Sequence, residues 1–317
     1  MSILKTIHLH CRSQNVKDRL QLLLEQIIAS HQLPFKFEVL TSFDPNRKMD
    51  LIIFETNAEW VASNGLRELE EILECSKSNI VLVCSPKFDY LELAKRYGIG
   101  NVILSDHLNP NSLRAILARL LGDEFFGFKP FFTKGYNLFY QEFIFCGRYP
   151  LASFPKEYFQ EFAGSLSEEE KYYFYTNINE LLINAFSFGV YGIQAEERDR
   201  NQATVPDEIF ISKEKEIKVL IARDHEKYGI SIMDRSGSLT LERVLEKIHR
   251  HTPLEEKTIP KGITDLSGRG LFMISRQSRL IVNILKSVRT EVIILRYNDP
   301  TLNAYQSLII NEKNSAD

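Results

Sequence analysis

Between residues 5 and 106 the chain repeats one alternation, a short apolar run followed by a stretch of helical periodicity. The runs are "KTIHLHC" (5–11), "FKFEVL" (35–40), "DLIIFET" (50–56), "NIVLVCS" (79–85) and "GNVILSD" (100–106). Between them lie segments such as "VKDRLQLLLEQIIASH" and "LRELEEILECS", and "PNSLRAILARLLG" follows the last run. Runs this short and apolar, spaced by amphipathic helices, predict a parallel sheet covered on both faces. Residues 1–121 are therefore expected to form an α/β domain with five strands.

Composition narrows the function classes. With 317 residues, 44% hydrophobic and 26% charged, the chain has room for two ordinary globular domains. A formal net charge of −3, with no Lys/Arg-rich block, supplies no electrostatic footprint for direct nucleic-acid binding. No apolar run has the length of a membrane span, and the opening "MSILKTIHLHC" reads as a strand rather than a leader. A cytoplasmic protein with no membrane partner is expected. Cys11, Cys75, Cys84 and Cys146 lack the spacing of a zinc site and are read as reduced thiols. "HRH" at 249–251 has no Cys or carboxylate at ligand spacing and is read as a polar loop.

The pattern changes after residue 121. "FFGFKPFFTKGYNLFYQEFIF" is too aromatic for a flexible tether, so residues 122–168 are expected to be a packed connecting segment. "SLSEEEK" has a serine cap and first-turn acids, the marks of a helix start. From 169 a long helix precedes "EIFISK", "EIKVLIARD" and "YGISIMD", spaced like neighbouring antiparallel strands. Two more helices follow, then "RLIVNILK" and "RTEVIILRY" around a tight turn, with "SLIINE" a further strand candidate. Residues 169–317 are expected to form an α+β layer.

Within the long helix, "NELLINAFSFG" (179–189) places Glu180 and Asn184 four residues apart on one face, with Asn177 and Ser187 continuing the stripe. A solvated stripe on a core helix and a carboxylate–amide pair facing a cation and phosphates both fit this spacing. "MDRSGSL" (233–239) ends a strand at Asp234 and turns through Ser236 and Gly237. "SGRGLFMI" sets Gly268 and Gly270 before a helix, where backbone N–H groups are available to phosphate oxygens. Thr290 stands near the start of a late strand.

Across 1–121 the order of elements resembles the receiver domain of response regulators, a flavodoxin-like fold. The chemistry departs from that family. "HCRSQ" stands where an acidic pair would hold Mg²⁺, and no lysine follows the fifth run. Glu55 occupies the phosphoacceptor position, so the resemblance implies a degenerate receiver that takes no phosphate. A surface acid and a built-in phosphate mimic remain open readings of Glu55.

Across roughly 165–298 the motifs resemble, in order, those of the GHKL ATP-binding superfamily. "NELLINA" looks like its N box, "DRSGSL" like its first glycine box and "GRGL" like its second. The resemblance implies a GHKL sandwich that binds ATP and Mg²⁺. Asn184 would hold the Mg²⁺, Glu180 would act as general base, and Asp234 with Thr290 would meet the adenine. Gly268 and Gly270 would admit the phosphates, and residues between Leu239 and Gly268 would form a lid. Ser236, or Gly237 in a shifted frame, fills the first glycine position, and Phe188 replaces a common histidine. No helical hairpin with a phosphoacceptor histidine precedes the N box, which sets the chain apart from histidine kinases. The compact form is closest to anti-sigma-factor serine kinases. That implies a signalling ATPase or serine/threonine kinase acting on a sigma factor, an anti-sigma antagonist or another signalling protein, with a homodimer compatible. The alternative is a non-catalytic switch, a pseudo-receiver joined to a pseudo-kinase.

Overall fold

A computed structural model describes residues 4–30, 33–42, 47, 49–63, 65–75, 79–85, 88–122, 125–132, 138–150, 154–193, 208–252, 269–299, 303 and 307–315. The chain divides into two compact units, Met1–Phe131 with Tyr305–Asn311, and Phe132–Ala304 with Glu312–Asp317.

The first unit begins with β1 (Leu4–His10), α1 (Gln14–Ala29), β2 (Lys36–Leu40), β3 (Leu51–Thr56), α2 (Ala58–Ala62) and α3 (Gly65–Cys75). It continues through β4 (Asn79–Cys84), α4 (Leu91–Tyr97), β5 (Asn101–Leu104) and α5 (Pro110–Leu121). The five apolar runs pair in parallel in the order β2-β1-β3-β4-β5. This is a doubly wound sheet whose order reverses between β1 and β3. Ile7, Leu9, Leu20, Leu24, Ile52, Phe54, Val81 and Leu82 are buried, so both faces of the sheet are covered. Helix starts follow local chemistry: Ser13, Asn57 and Asn109 each accept a first-turn N–H, with Pro110 just inside α5.

The aromatic segment is shared between the units. Phe125, Phe128 and Phe131 are buried in the first. Buried Arg119 donates to the Ala115 carbonyl at 3.2 Å and to that of Gly127, and lies 4.4 Å from the Phe131 ring centroid.

The second unit contains β6 (Phe139–Phe145), β7 (Gly147–Pro150), α6 (Phe154–Gly164) and α7 (Glu168–Asn184), which runs into a π-helical turn (Ala185–Val190). Then come β8 (Glu208–Ile211), β9 (Ile217–Arg223), β10 (Lys227–Asp234), α8 (Leu241–His251), α9 (Arg269–Gln277), β11 (Arg279–Leu285) and β12 (Arg289–Tyr297). Its strands pair antiparallel in the order β11-β12-β10-β9-β6.

Two pairings differ from the sequence reading. On the side away from β10, β9 is flanked by β6, taken from the segment expected to be a connector, while β8 pairs among the described residues with β7. The aromatics of β6 explain the first difference. Phe139 and Phe143 alternate toward α6, with ring centroids 5.4 Å from Phe162 and 5.0 Å from Phe159. The density of rings marks a strand face packed on a helix.

The chain ends with β13 (Leu308–Lys313), whose first residues belong to the first unit and pair antiparallel with β5, Leu308 opposite Val102. Among the described residues no helix is long and apolar enough to cross a membrane.

Candidate functional site

The start of α7 is fixed by a capping box between Ser167 and Glu170, and its buried face carries Phe174, Ile178, Leu181 and Leu182. Asn177 on the polar stripe is buried and donates to Ser278 Oγ at 3.4 Å, so that part of the stripe is not solvated. Farther along, Glu180 and Asn184 face a cavity of about 280 Å³ within the second unit. Asp234 lines it from the end of β10, Ser238 from the turn that follows, Thr290 and Val292 from β12, and Leu271 from α9. The wall along α8 presents Arg243 and Lys247, one helical turn apart.

Asn184 Nδ2 donates to Glu180 Oε1 at 3.2 Å, so the two motif side chains hold one another. Gly270, at the start of α9, lies against Glu180; a Cβ there would overlap the Glu180 carboxyl group. Asp234 and Thr290 are cross-strand partners in the β10–β12 ladder. The register is stitched by Glu291, fully buried beside Thr290, which accepts from Ser231 Oγ at 2.7 Å and from Asn283 Nδ2 at 2.9 Å. Thr290 Oγ1 is buried with no hydrogen-bond partner among the described residues. An orphaned hydroxyl beside a carboxylate suits a ligand with hydrogen-bonding edges.

The turn after β10 shapes the acid. Ser236 donates to Asp234 Oδ1 through its backbone N–H at 2.8 Å and its hydroxyl at 2.5 Å. Burial pushes the Asp234 carboxyl above its usual range, and the donors from Ser236 and Gly237 oppose that rise. Gly237 has φ +57°, and a Cβ there would collide with the Leu285 carbonyl. Only glycine satisfies both conditions, and Gly237 accepts the Ser287 N–H at 3.1 Å.

The cavity thus brings together Glu180, Asn184, Asp234 and Thr290, with Gly237 and Gly270 as close structural supports. Gly268, and residues 253–268 of the expected lid, lie outside the described residues. Glu55 belongs to the first unit, where its carboxylate accepts the N–H groups of Arg12 at 3.1 Å and Ser13 at 2.9 Å. Neither reading of Glu55 described this; it holds the entry to α1. Burial, with the Glu55 carboxylate nearby, pushes the Cys11 thiol up to about 12.

Sequence reasoning missed three features. Arg243 and Lys247 look like the solvated face of an amphipathic helix until the cavity is seen. Gly189, within the π-helical turn, leaves room for Asp234, whose Cβ would lie 2.8 Å from a Cβ at that position. The "HRH" stretch is the last turn of α8, with buried His251 stacked at 5.9 Å on Phe272.

The donor set also bears on a metal. Among the described residues no group of three His, Cys, Asp or Glu side chains is placed to share an ion. A Mg²⁺ held through one or two protein oxygens and completed by phosphates and water is compatible with Asn184 and Glu180.

No family model matches the chain, and no curated protein matches it. Among solved structures, one similar chain is described as having a GCN5-related glucosamine N-acetyltransferase region in a fungal multi-domain GH3 beta-N-acetylglucosaminidase. The identity is 9% and the TM-score 0.24, over 73% of this chain and 24% of that one.

Proposed function

We propose that the second unit is a GHKL-type domain that binds ATP, with Mg²⁺ entering for phosphoryl transfer, in a signalling protein that acts on a partner protein. The observation that carries this reading is the pairing of Asp234 with Thr290, whose buried hydroxyl lacks a partner among the described residues, in the cavity that also holds Glu180 and Asn184. An adenine edge offers an amine to the carboxylate and ring nitrogens to the hydroxyl. In this reading Glu180, steadied by Asn184, orients a water or a substrate hydroxyl, and Mg²⁺ would supply charge neutralisation during transfer.

Ser236 favours a second reading, a nucleotide-dependent or nucleotide-free switch without turnover. Its hydroxyl and N–H already engage Asp234 Oδ1, where the family pattern has a glycine. An adenine amine would have to share that carboxylate.

Calorimetry with a non-hydrolysable ATP analogue and phosphate-release assays separate the two. Removing a positioned base typically costs about 10²–10⁴-fold in rate. Glu180→Ala is therefore expected to abolish turnover while changing nucleotide affinity by only a few-fold. Binding without turnover in the wild type selects the switch, and no binding overturns the nucleotide reading.

A further inference from the structure

The hydrogen bonds that shape Asp234 come from its own turn, and the two from Ser236 fall on one oxygen. Oδ1 accepts the Ser236 N–H at 2.8 Å and the Ser236 hydroxyl at 2.5 Å. Ser236 Oγ in turn accepts the Ser238 N–H at 3.2 Å, which leaves its own proton for the carboxylate. Gly189 meets the same side of the acid, where a Cβ would stand 3.2 Å from Oδ1. These contacts occupy Oδ1 and leave Oδ2 as the remaining acceptor. Directly across the ladder is Thr290, whose buried hydroxyl has no partner among the described residues.

We propose that Ser236 is a positioning residue for ligand selection: it holds the Asp234 carboxylate by one oxygen, so that the other oxygen, with Thr290, selects a ring edge bearing an amine beside a bare nitrogen. The inference rests on the nucleotide reading above and deepens it. The Thr290 hydroxyl donates or accepts, so by itself it discriminates little. A carboxylate only accepts; once protonated it also donates, and a carbonyl edge is then received as well as an amine. Selectivity therefore follows the charge on Asp234. Burial raises the Asp234 titration point and the Ser236 donors oppose that rise. Selectivity is thus present above that point and lost as pH falls through it, and removing the hydroxyl donor moves the point upward. Glu180 from α7 and Arg243 and Lys247 from α8 line the same cavity. Two nucleotides that differ only in the ring edge meet those charges alike, so their effect cancels in a ratio of affinities.

The test is calorimetric titration of the full chain with ATP and with inosine triphosphate, from neutral pH downward, at constant ionic strength and Mg²⁺. Inosine triphosphate carries a carbonyl in place of the amine and an N–H in place of the ring nitrogen. The wild type is expected to favour ATP by about tenfold or more at neutral pH, because a buried acceptor would otherwise face a carbonyl. That preference should shrink as pH falls. Ser236→Ala is expected to lose it at a pH about one unit higher, and Ser236→Thr, which keeps the hydroxyl, should restore the wild-type profile. No preference for ATP, or a preference that does not change with pH, overturns this inference and leaves the nucleotide reading standing. A folded Ser236→Ala variant whose profile matches the wild type does the same. Binding of neither nucleotide overturns both. The wild-type profile needs no substitution, so the result stands even if a variant does not fold.

Discussion

Gly270 and Glu180 are the residue pair on which the cavity geometry turns. A side chain at 270 and the carboxyl at 180 would claim the same space, so the close approach of α9 to α7 depends on the absence of one methyl group. Inserting a methyl into filled space typically costs about 1–3 kcal/mol. Gly270→Ala is expected to destabilise the protein by that order in urea unfolding. Shortening the opposing residue should relieve the clash, so Gly270→Ala with Glu180→Ala together should cost much less than the sum. Equal, additive costs would mean that the two residues do not touch. Because the comparison reads stability alone, it tests the geometry whatever the cavity binds.

At the scale of elements, the junction of β1 and α1 shows how one carboxylate from the neighbouring strand β3 fixes the start of a helix. The Glu55 carboxylate accepts two successive N–H groups ahead of α1, while Ser13 Oγ accepts the Val16 N–H in the first turn. Hydrogen bonds to a charged group contribute roughly 1.5–3 kcal/mol each at most, and exposure reduces that. Glu55→Ala should therefore lower stability by about 1–2 kcal/mol, with Glu55→Gln intermediate, as read from thermal or urea midpoints. No change in the Ala variant would return Glu55 to the status of a surface acid. How far the elements were legible depended on their surroundings. The runs forming β1 to β5 stood out because central parallel strands are apolar on both faces. The Glu180–Asn184 face was legible from helical spacing alone. By contrast, β6 lay inside an aromatic stretch read only as a packed connecting segment, and the packing of Phe139 and Phe143 on α6 is what reveals the strand. Arg243 and Lys247 were hidden because helical periodicity says which residues share a face, not what that face meets.

For the whole molecule, the sequence boundary near residue 168 is not where the compact units divide. Phe132 and β6 belong with the second unit, and residues near the end of the chain return to the first. Within β13, Leu308, Ile309 and Ile310 are buried, and Leu308 and Ile309 extend the first unit's sheet beside β5. Ser307 Oγ adds an acceptor for the Leu104 N–H at 3.3 Å. Directly after Asn311 the chain contributes Glu312 to the second unit, where it accepts the Leu241 N–H that begins α8. One short strand thus supports both units by separate contacts. Burying each aliphatic side chain is worth about 1.5–3 kcal/mol as an upper bound. Ending the chain at Asp299 should therefore destabilise the first unit by several kcal/mol. The single substitution Glu312→Ala should leave that unit intact and loosen only the start of α8. Amide exchange followed by peptide mapping distinguishes the two. The truncation should speed exchange throughout β4 and β5, whereas Glu312→Ala should speed it over 241–247 alone. If Glu312→Ala leaves exchange in α8 unchanged, the carboxylate does not anchor that helix. The placement of Arg243 and Lys247 must then come from the packing of Val244, Leu245 and Ile248, which are buried on its other face.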